Sequence, residues 1–335
     1  MKKTAIFRFF FFLFIIILIS FFGFKKFYRP PMQEQTRLLM DTKWTIKVPG
    51  GKQMNPVINK VFDRLQQIDD KFSVMNSGSI INKFNHFGEP ITDKEIIGVI
   101  QRAKEVGDLT SGNFDITVQP LLEAFGFYSR EYKVPSPKEV QELLKHVGYK
   151  KFLVISDNKV TKSDPLVAID LGGIAKSYAL NEALKVLQEN KVKNALIDGG
   201  GDLYALGLYA GKPWRIGIQH PRKDGLLGEL SITDMAIYSS GDYERYFIDK
   251  GVRYFHIFNP KTGYPAWGLI GSTVIYPKLF QGGGLSSSLV IMGKEKALTF
   301  IDALPGAAAI LVDEKSNVFF SKGLQKNLGA KTKFY

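Results

Sequence analysis

An α+β fold of mixed, largely antiparallel sheets with packed helices, behind an N-terminal membrane anchor, is the architecture this 335-residue sequence predicts. Three observations carry that expectation. Helix entry signals crowd the first half of the chain. Short β-rich runs dominate the second half, an order that argues against a regularly alternating doubly wound sheet. Ahead of both stands one long apolar run, Phe9 to Phe24, broken only by Ser20 and Gly23.

The apolar run explains residues 1–24. Lys2, Lys3 and Arg8 precede or interrupt it, and Lys25, Lys26 and Arg29 follow. Its length is close to the roughly 17–25 residues that span a bilayer. No Ala-x-Ala cleavage site follows, so it is expected to stay as an anchor. Basic residues on both flanks leave its orientation undecided by charge. Residues 25–36, with Arg29-Pro30-Pro31, are expected as a stiff linker, and 37–335 as the folded domain.

Composition narrows the chemistry. There is no cysteine, which excludes disulfides and thiolate metal sites. The net charge of +13 is spread without a dense Lys/Arg run or an interleaved aromatic platform, so no nucleic-acid partner is expected. Such a charge suits anionic lipid or a phosphate-bearing ligand.

Helices are expected where capping signals meet apolar spacing. Asn55-Pro56 reads as a cap with proline at the first helical position, before Val57, Val61, Leu65 and Ile68. Thr92-Asp93-Lys94-Glu95 and Ser136-Pro137-Lys138-Glu139 read as capping boxes. A fourth helix follows the glycines at 172–173, and a fifth starts near Leu285. Strands are expected at 43–48, 152–155, 166–170, 195–198, 203–208, 214–218, 236–239, 254–258, 272–276, 308–312 and 318–321.

Two strings stand out chemically. Asp170-Leu-Gly-Gly-Ile-Ala-Lys-Ser-Tyr178 reads as strand, glycine turn and helix, with an acid before the turn and a lysine inside the helix. Glycines admit close backbone approach, and the free amides of a new helix suit an anion. His256-Ile-Phe-Asn-Pro-Lys-Thr-Gly-Tyr-Pro265 places an imidazole and an oxygen ligand beside a tight turn. Each has a purely structural alternative: a turn-bonded histidine, a solvated lysine, a helix-capping aspartate. Further polar clusters follow apolar segments at Ser73–Ser79, Ser111–Thr117, Asp198–Asp202 and Ser240–Tyr246.

Taken in order, these motifs resemble the ApbE family of flavin transferases. Met40-Asp41-Thr42 is similar to the family's Met-Gly-Thr, and Gly112–Thr117 to its Gly-Ala-Phe-Asp-x-Thr. Asp170–Tyr178 is similar to its Asp-Leu-Gly-Gly-Ile-Ala-Lys-Gly-Tyr, and Asn194–Asp202, Trp214–Pro221, Ser240–Phe247 and His256–Pro265 follow in family order. The resemblance implies an ApbE-like domain over residues 37–335. Its expected activity is FAD:protein FMN transfer to a Ser/Thr hydroxyl of a membrane-associated acceptor protein, with AMP released and Mg²⁺ required.

FAD is then expected across Met40, Asn113, Phe114, Asp115, Asp170 and Lys176, with His256 and Ile257 at the diphosphate end. Lys176 would meet charge building on phosphoryl oxygens. His256 would take the hydroxyl proton, its ordinary pKa lying near neutrality. The anchor implies the extracytoplasmic, periplasmic side of the cell membrane.

One departure matters. The family's Ala-Asp-Ala-Leu-Ala-Thr, whose Asp and Thr hold Mg²⁺, reads Gly282-Gly283-Gly284-Leu285-Ser286-Ser287 here. The resemblance leaves Ser287 and the carbonyl of Gly173 as metal ligands, with no carboxylate at 283. A weaker metal site, substitution by Asp198 or Asp202, and a glycine-rich phosphate loop are the alternatives. So are an FAD pyrophosphatase yielding FMN and AMP, and a catalytically silent FAD-binding protein.

Overall fold

The structure is a computed structural model and describes residues 30–324 and 332–335. The expected anchor, 1–24, lies outside the described residues. Among those described, no helix is long and apolar enough to cross a membrane.

The strands in chain order are β1 (Met32–Leu39), β2 (Thr42–Pro49), β3 (Leu153–Ile155), β4 (Val160–Lys162), β5 (Ala195–Gly199), β6 (Asp202–Leu206) and β7 (Trp214–Gln219). Then come β8 (Leu226–Ile232), β9 (Met235–Gly241), β10 (Tyr246–Asp249), β11 (Val252–Phe255), β12 (Leu269–Tyr276), β13 (Ala308–Asp313), β14 (Val318–Phe320) and β15 (Thr332–Phe334). The helices used below are α1 (Asn55–Phe72), α2 (Ile80–Phe87), α3 (Lys94–Leu109), α4 (Gln119–Ala124), α5 (Pro137–Leu144), α6 (Tyr149–Phe152), α7 (Gly172–Glu189), α8 (Leu285–Met292) and α9 (Lys294–Ala303).

Eight strands form one sheet in the order β1-β2-β5-β6-β9-β12-β13-β14, and every neighbouring pair is antiparallel. Its two faces are both covered. On one side Trp44, Ile46, Ile197 and Val274 pack with Phe62, Leu65 and Ile68 of α1 and with Leu180 and Leu187 of α7. On the other, Leu203, Ile237, Ile275 and Ile310 meet Trp214, Ile216 and Leu230 of a three-stranded sheet, β15-β8-β7. Burial on both faces explains why β12 is buried at every position, Ser272 and Thr273 included, while β7 alternates. Each large side chain removed from water here stabilises the fold by about 1.5–3 kcal/mol.

Several expectations are corrected by tertiary contacts. Asp93, not Thr92, caps α3, accepting from the Glu95 and Ile96 amides at 3.0 and 3.1 Å. Glu95 instead turns to Arg64 and to Lys71 at 2.8 Å, and Arg64 bonds Glu182 at 2.8 Å, tying α1, α3 and α7 together. These pairings hold the Asp93 and Glu95 carboxyls below their ordinary range against the opposing pull of burial. Asn55 is the first helical residue, not the cap. The Ser136–Glu139 capping box forms as read.

Residues 166–170 form no strand. The Asn85 side chain bonds both the N–H and the C=O of Ile169, and Lys162 Nζ donates to the carbonyls of Asn85, Pro165 and Val167. Side chains thus satisfy a backbone that lacks a neighbouring strand. The strand β1 begins at Met32, inside the span expected as linker, because β2 offers it a full antiparallel partner from Met32↔Pro49 to Leu39↔Thr42.

Candidate active site

Several chain segments converge on a cavity of about 320 Å³. The β1–β2 turn brings Met40, and the loop after α3 brings Asn113, Phe114 and Asp115. The start of α7 brings Asp170, Gly173 and Lys176, the exit of β11 brings His256 and Ile257, and the start of α8 brings Ser287. The turn between β9 and β10 contributes Glu244 and Arg245. All ten residues singled out from the sequence line this one cavity.

Their roles in the fold differ. Asp170 Oδ1 accepts from Gly172 N at 2.6 Å, and its Oδ2 takes the Tyr128 hydroxyl at 2.6 Å. Its carboxylate therefore orients the first turn of α7. Burial beside Asp170 pushes the Tyr128 hydroxyl well above the ordinary phenol range. Asp115 is fully engaged as well, accepting from Thr117 N at 2.8 Å, Thr117 Oγ1 at 2.6 Å and Tyr149 N at 3.1 Å. Burial still pushes its carboxyl up, against those bonds. Asn113 is spanned between Thr110 O at 2.7 Å and Lys261 Nζ at 3.2 Å.

Met40 and Asp41 both hold left-handed φ, 51° and 57°, in the two-residue turn between β1 and β2. The Met40 amide donates to Asp69 Oδ2 at 3.0 Å, which fixes the turn against the cavity wall.

Lys176 supplies positive charge. Its Nζ lies 3.7 Å from Asp202 Oδ2, and Asp202 also accepts from Ser239 N at 3.1 Å. Burial pushes the Asp202 carboxyl up, and Lys176 opposes that shift. Glu244 is likewise pushed up by burial and pulled down by Lys176.

His256 departs most from expectation. Its Nδ1 is enclosed and has no hydrogen-bond partner. Burial, then the charges of Arg245 and Lys176, depress its pKa to about 3. The ring is thus neutral at pH 7, and near-neutral titration is not its property in this structure.

The triple glycine is closely packed. A Cβ at Gly282 would overlap the Tyr238 ring, and one at Gly284 would lie 2.8 Å from the Phe114 ring. The Tyr238 hydroxyl donates to Leu279 O just ahead of the triplet. A Cβ at Gly283 would overlap the Ser177 hydroxyl. Of the three, only Gly284 lines the cavity.

The donors fit FAD better than they fit magnesium. A diphosphate finds Lys176, Arg245 and the exposed glycines 172 and 173 on one wall. Magnesium usually keeps one or two carboxylates. Ser287 Oγ donates to Gly284 O at 3.1 Å, Gly283 has no room for a carboxylate, and no group of three or more His, Cys, Asp or Glu among the described residues could hold a metal ion. Gly173 and Ser287, the ligands that the resemblance leaves, both line the cavity, with no carboxylate at 283 beside them.

The sequence marked the Ser240–Tyr246 string that holds Glu244 and Arg245 but gave those two residues no role, and it passed over Tyr128. Tyr128 carried no signal, since its partner lies 42 residues away.

A profile of the ApbE family matches residues 40–311. The FAD:protein FMN transferase of Haemophilus influenzae is 31% identical over 273 residues, covering 77% of this chain and 78% of that protein. The FAD:protein FMN transferase of Vibrio cholerae is 31% identical over 276 residues, covering 79% and 82%. The crystal structure of the ApbE protein of Thermotoga maritima superposes with a TM-score of 0.83 at 33% identity, covering 89% of this chain and 99% of that one.

Proposed function

This chain belongs to the ApbE family, and on that premise we propose that it is an FAD:protein FMN transferase. It moves FMN from FAD to a Ser/Thr hydroxyl of an acceptor protein and releases AMP. The observation that carries this reading is the convergence of Lys176, Arg245 and His256, whose Nδ1 has no hydrogen-bond partner, on one cavity beside the glycines that open α7.

In this reading FAD lies across Met40, the 113–115 turn, Asp170 and Lys176, with its diphosphate toward His256 and Ile257. The acceptor oxygen attacks the FMN phosphorus, the P–O bond to AMP breaks, and AMP leaves with the electron pair. Lys176 and Arg245 face the oxygens on which charge accumulates. Asp202 holds Lys176 toward that wall. His256, neutral at pH 7, has a free nitrogen for the hydroxyl proton. An anionic diphosphate beside the ring opposes the two cations that depress its pKa, so ligand binding makes it a better base. Magnesium, where the family uses it, would supply further charge neutralisation.

Residues 1–24 are read as an anchor that keeps the domain at the extracytoplasmic face of the membrane, near a membrane-associated acceptor. The apolar run Phe9–Phe24 and its basic flanks support that reading. The glycine at 283 favours one rival, a silent FAD-binding protein.

The test is mass spectrometry on the full chain with FAD, Mg²⁺ and an acceptor domain. An acceptor heavier by FMN with matching AMP is the expected result. AMP with free FMN and an unmodified acceptor would make the protein a pyrophosphatase. FAD recovered intact would make it a silent binder.

A further inference from the structure

Gly283 holds φ −58° and ψ 137°, a conformation open to any residue. Its missing side chain is therefore not a backbone requirement. The obstacle is Ser177. A Cβ at 283 would overlap Ser177 Oγ, lie 2.9 Å from Ser177 Cβ and stand 3.1 Å from Ile174 Cγ1.

These three contacts differ in how readily they yield. The Ile174 Cγ1 contact, at 3.1 Å, is relieved by a shift of a few tenths of an ångström. The Ser177 hydroxyl can rotate, although it would give up its 2.7 Å bond to Ile174 O. The Ser177 Cβ cannot move, because the backbone of α7 sets it, and the residue is 1% exposed in a packed helix. Removing the hydroxyl alone thus leaves a Cβ–Cβ conflict. Only glycine at 177 clears the space. That space lies between Gly283, next to the cavity-lining Gly284, Ser286 and Ser287, and the turn of α7 that carries Gly173 and Lys176.

We propose that Ser177 bars a carboxylate from position 283, so that this chain acquires a carboxylate-held divalent-cation site only when Ser177→Gly and Gly283→Asp are made together. In the native protein the charge of a bound diphosphate is then met from the wall carrying Lys176 and Arg245. This inference rests on reading the cavity as a diphosphate site.

The experiment compares the full chain with Gly283→Asp, Ser177→Gly, Ser177→Ala/Gly283→Asp and Ser177→Gly/Gly283→Asp. Melting temperature and Mn²⁺ binding by electron paramagnetic resonance, with ADP as the diphosphate probe, are the readouts. Gly283→Asp alone should melt lower and bind Mn²⁺ no tighter than the native chain. The Ser177→Ala pair should remain destabilised. The Ser177→Gly pair should regain most of the lost stability and bind Mn²⁺ about tenfold or more tighter than the native chain.

Strictly additive stability changes would overturn the proposal. So would Mn²⁺ binding by Gly283→Asp equal to that of the Ser177→Gly pair, or a Ser177→Gly pair with no gain. Neither readout involves flavin or acceptor, so failure of the transferase reading shows separately, as intact FAD in the mass-spectrometric assay.

Discussion

The Tyr128 hydroxyl donates to Asp170 Oδ2 at 2.6 Å, while the other oxygen of Asp170 takes the Gly172 amide that opens α7. One carboxylate thus joins the loop after α4 to the helix that carries Gly173 and Lys176. Its position in the cavity wall depends on a tyrosine remote in sequence.

Tyr128→Phe removes that donor and leaves Asp170 Oδ2 short of a partner in an enclosed site. The expected loss is about 1–3 kcal/mol of stability, with weaker FAD binding because the first turn of α7 is less well held. Chemical denaturation and FAD fluorescence titration check it. Unchanged FAD affinity would mean that the bond is structural only.

His256 has a folded pKa of about 3, below the ordinary histidine value near 6.5. Between those limits the unfolded chain binds more protons, so this group's contribution to stability falls as pH drops from 6.5 toward 3 and is constant above. His256→Gln should therefore gain stability relative to the native chain on going from pH 7 to pH 4.5. Paired urea titrations read this, and a constant difference would contradict it. A diphosphate ligand should raise the imidazole pKa, visible as a shifted ring-proton titration by NMR.

Lys176→Met strips Asp202 of its nearest cation. A buried carboxylate left alone is destabilising. Given the 3.7 Å separation and the part-exposed lysine, the expected loss is about 1–2 kcal/mol at pH 7. The Asp202 pKa is already raised, so the loss should shrink as pH falls into the carboxylate range and the group protonates. Adding Asp202→Asn should restore stability but not FAD binding. Restored FAD binding would show that Lys176 serves the fold and not the ligand.

Two glycines face the Phe114 ring and should respond differently to alanine. At Gly173 the new Cβ meets only the Phe114 ring, Cε2 at 2.9 Å and Cζ at 3.4 Å, a contact that a small ring movement relieves. At Gly284 it meets the same ring at 2.8 Å and adds a left-handed φ of 78°. Gly284→Ala should lose about 1–3 kcal/mol, and Gly173→Ala less. Thermal melts decide, and equal losses would remove the backbone argument.

Much of the site was legible from the residues. Glycine turns, a lysine one turn into a helix and an imidazole before a Pro/Gly loop mark themselves, because the constraints behind them are local. Of the three capping signals, the Ser136–Glu139 box formed as read, Asn55 became the first helical residue, and Asp93 displaced Thr92 once Glu95 found Arg64 and Lys71. The 166–170 run was misread as a strand, since apolar β-branched residues signal burial and not pairing. What they pair with is Asn85 and Lys162, more than seventy residues upstream and a few residues before the run.

The chain's own pattern determined that helices would precede a strand-rich half, which follows from local periodicity, caps and turns. Which ten residues would line one cavity came from the ordered motifs that resemble the ApbE family. Tertiary structure alone decided that Asp115 and Asp170 are spoken for by amides and hydroxyls, that His256 is neutral, and that Gly283 is small because Ser177 fills its side-chain space. Burial, field strength and steric overlap are set by atoms far apart along the chain, so they exist only once it is folded.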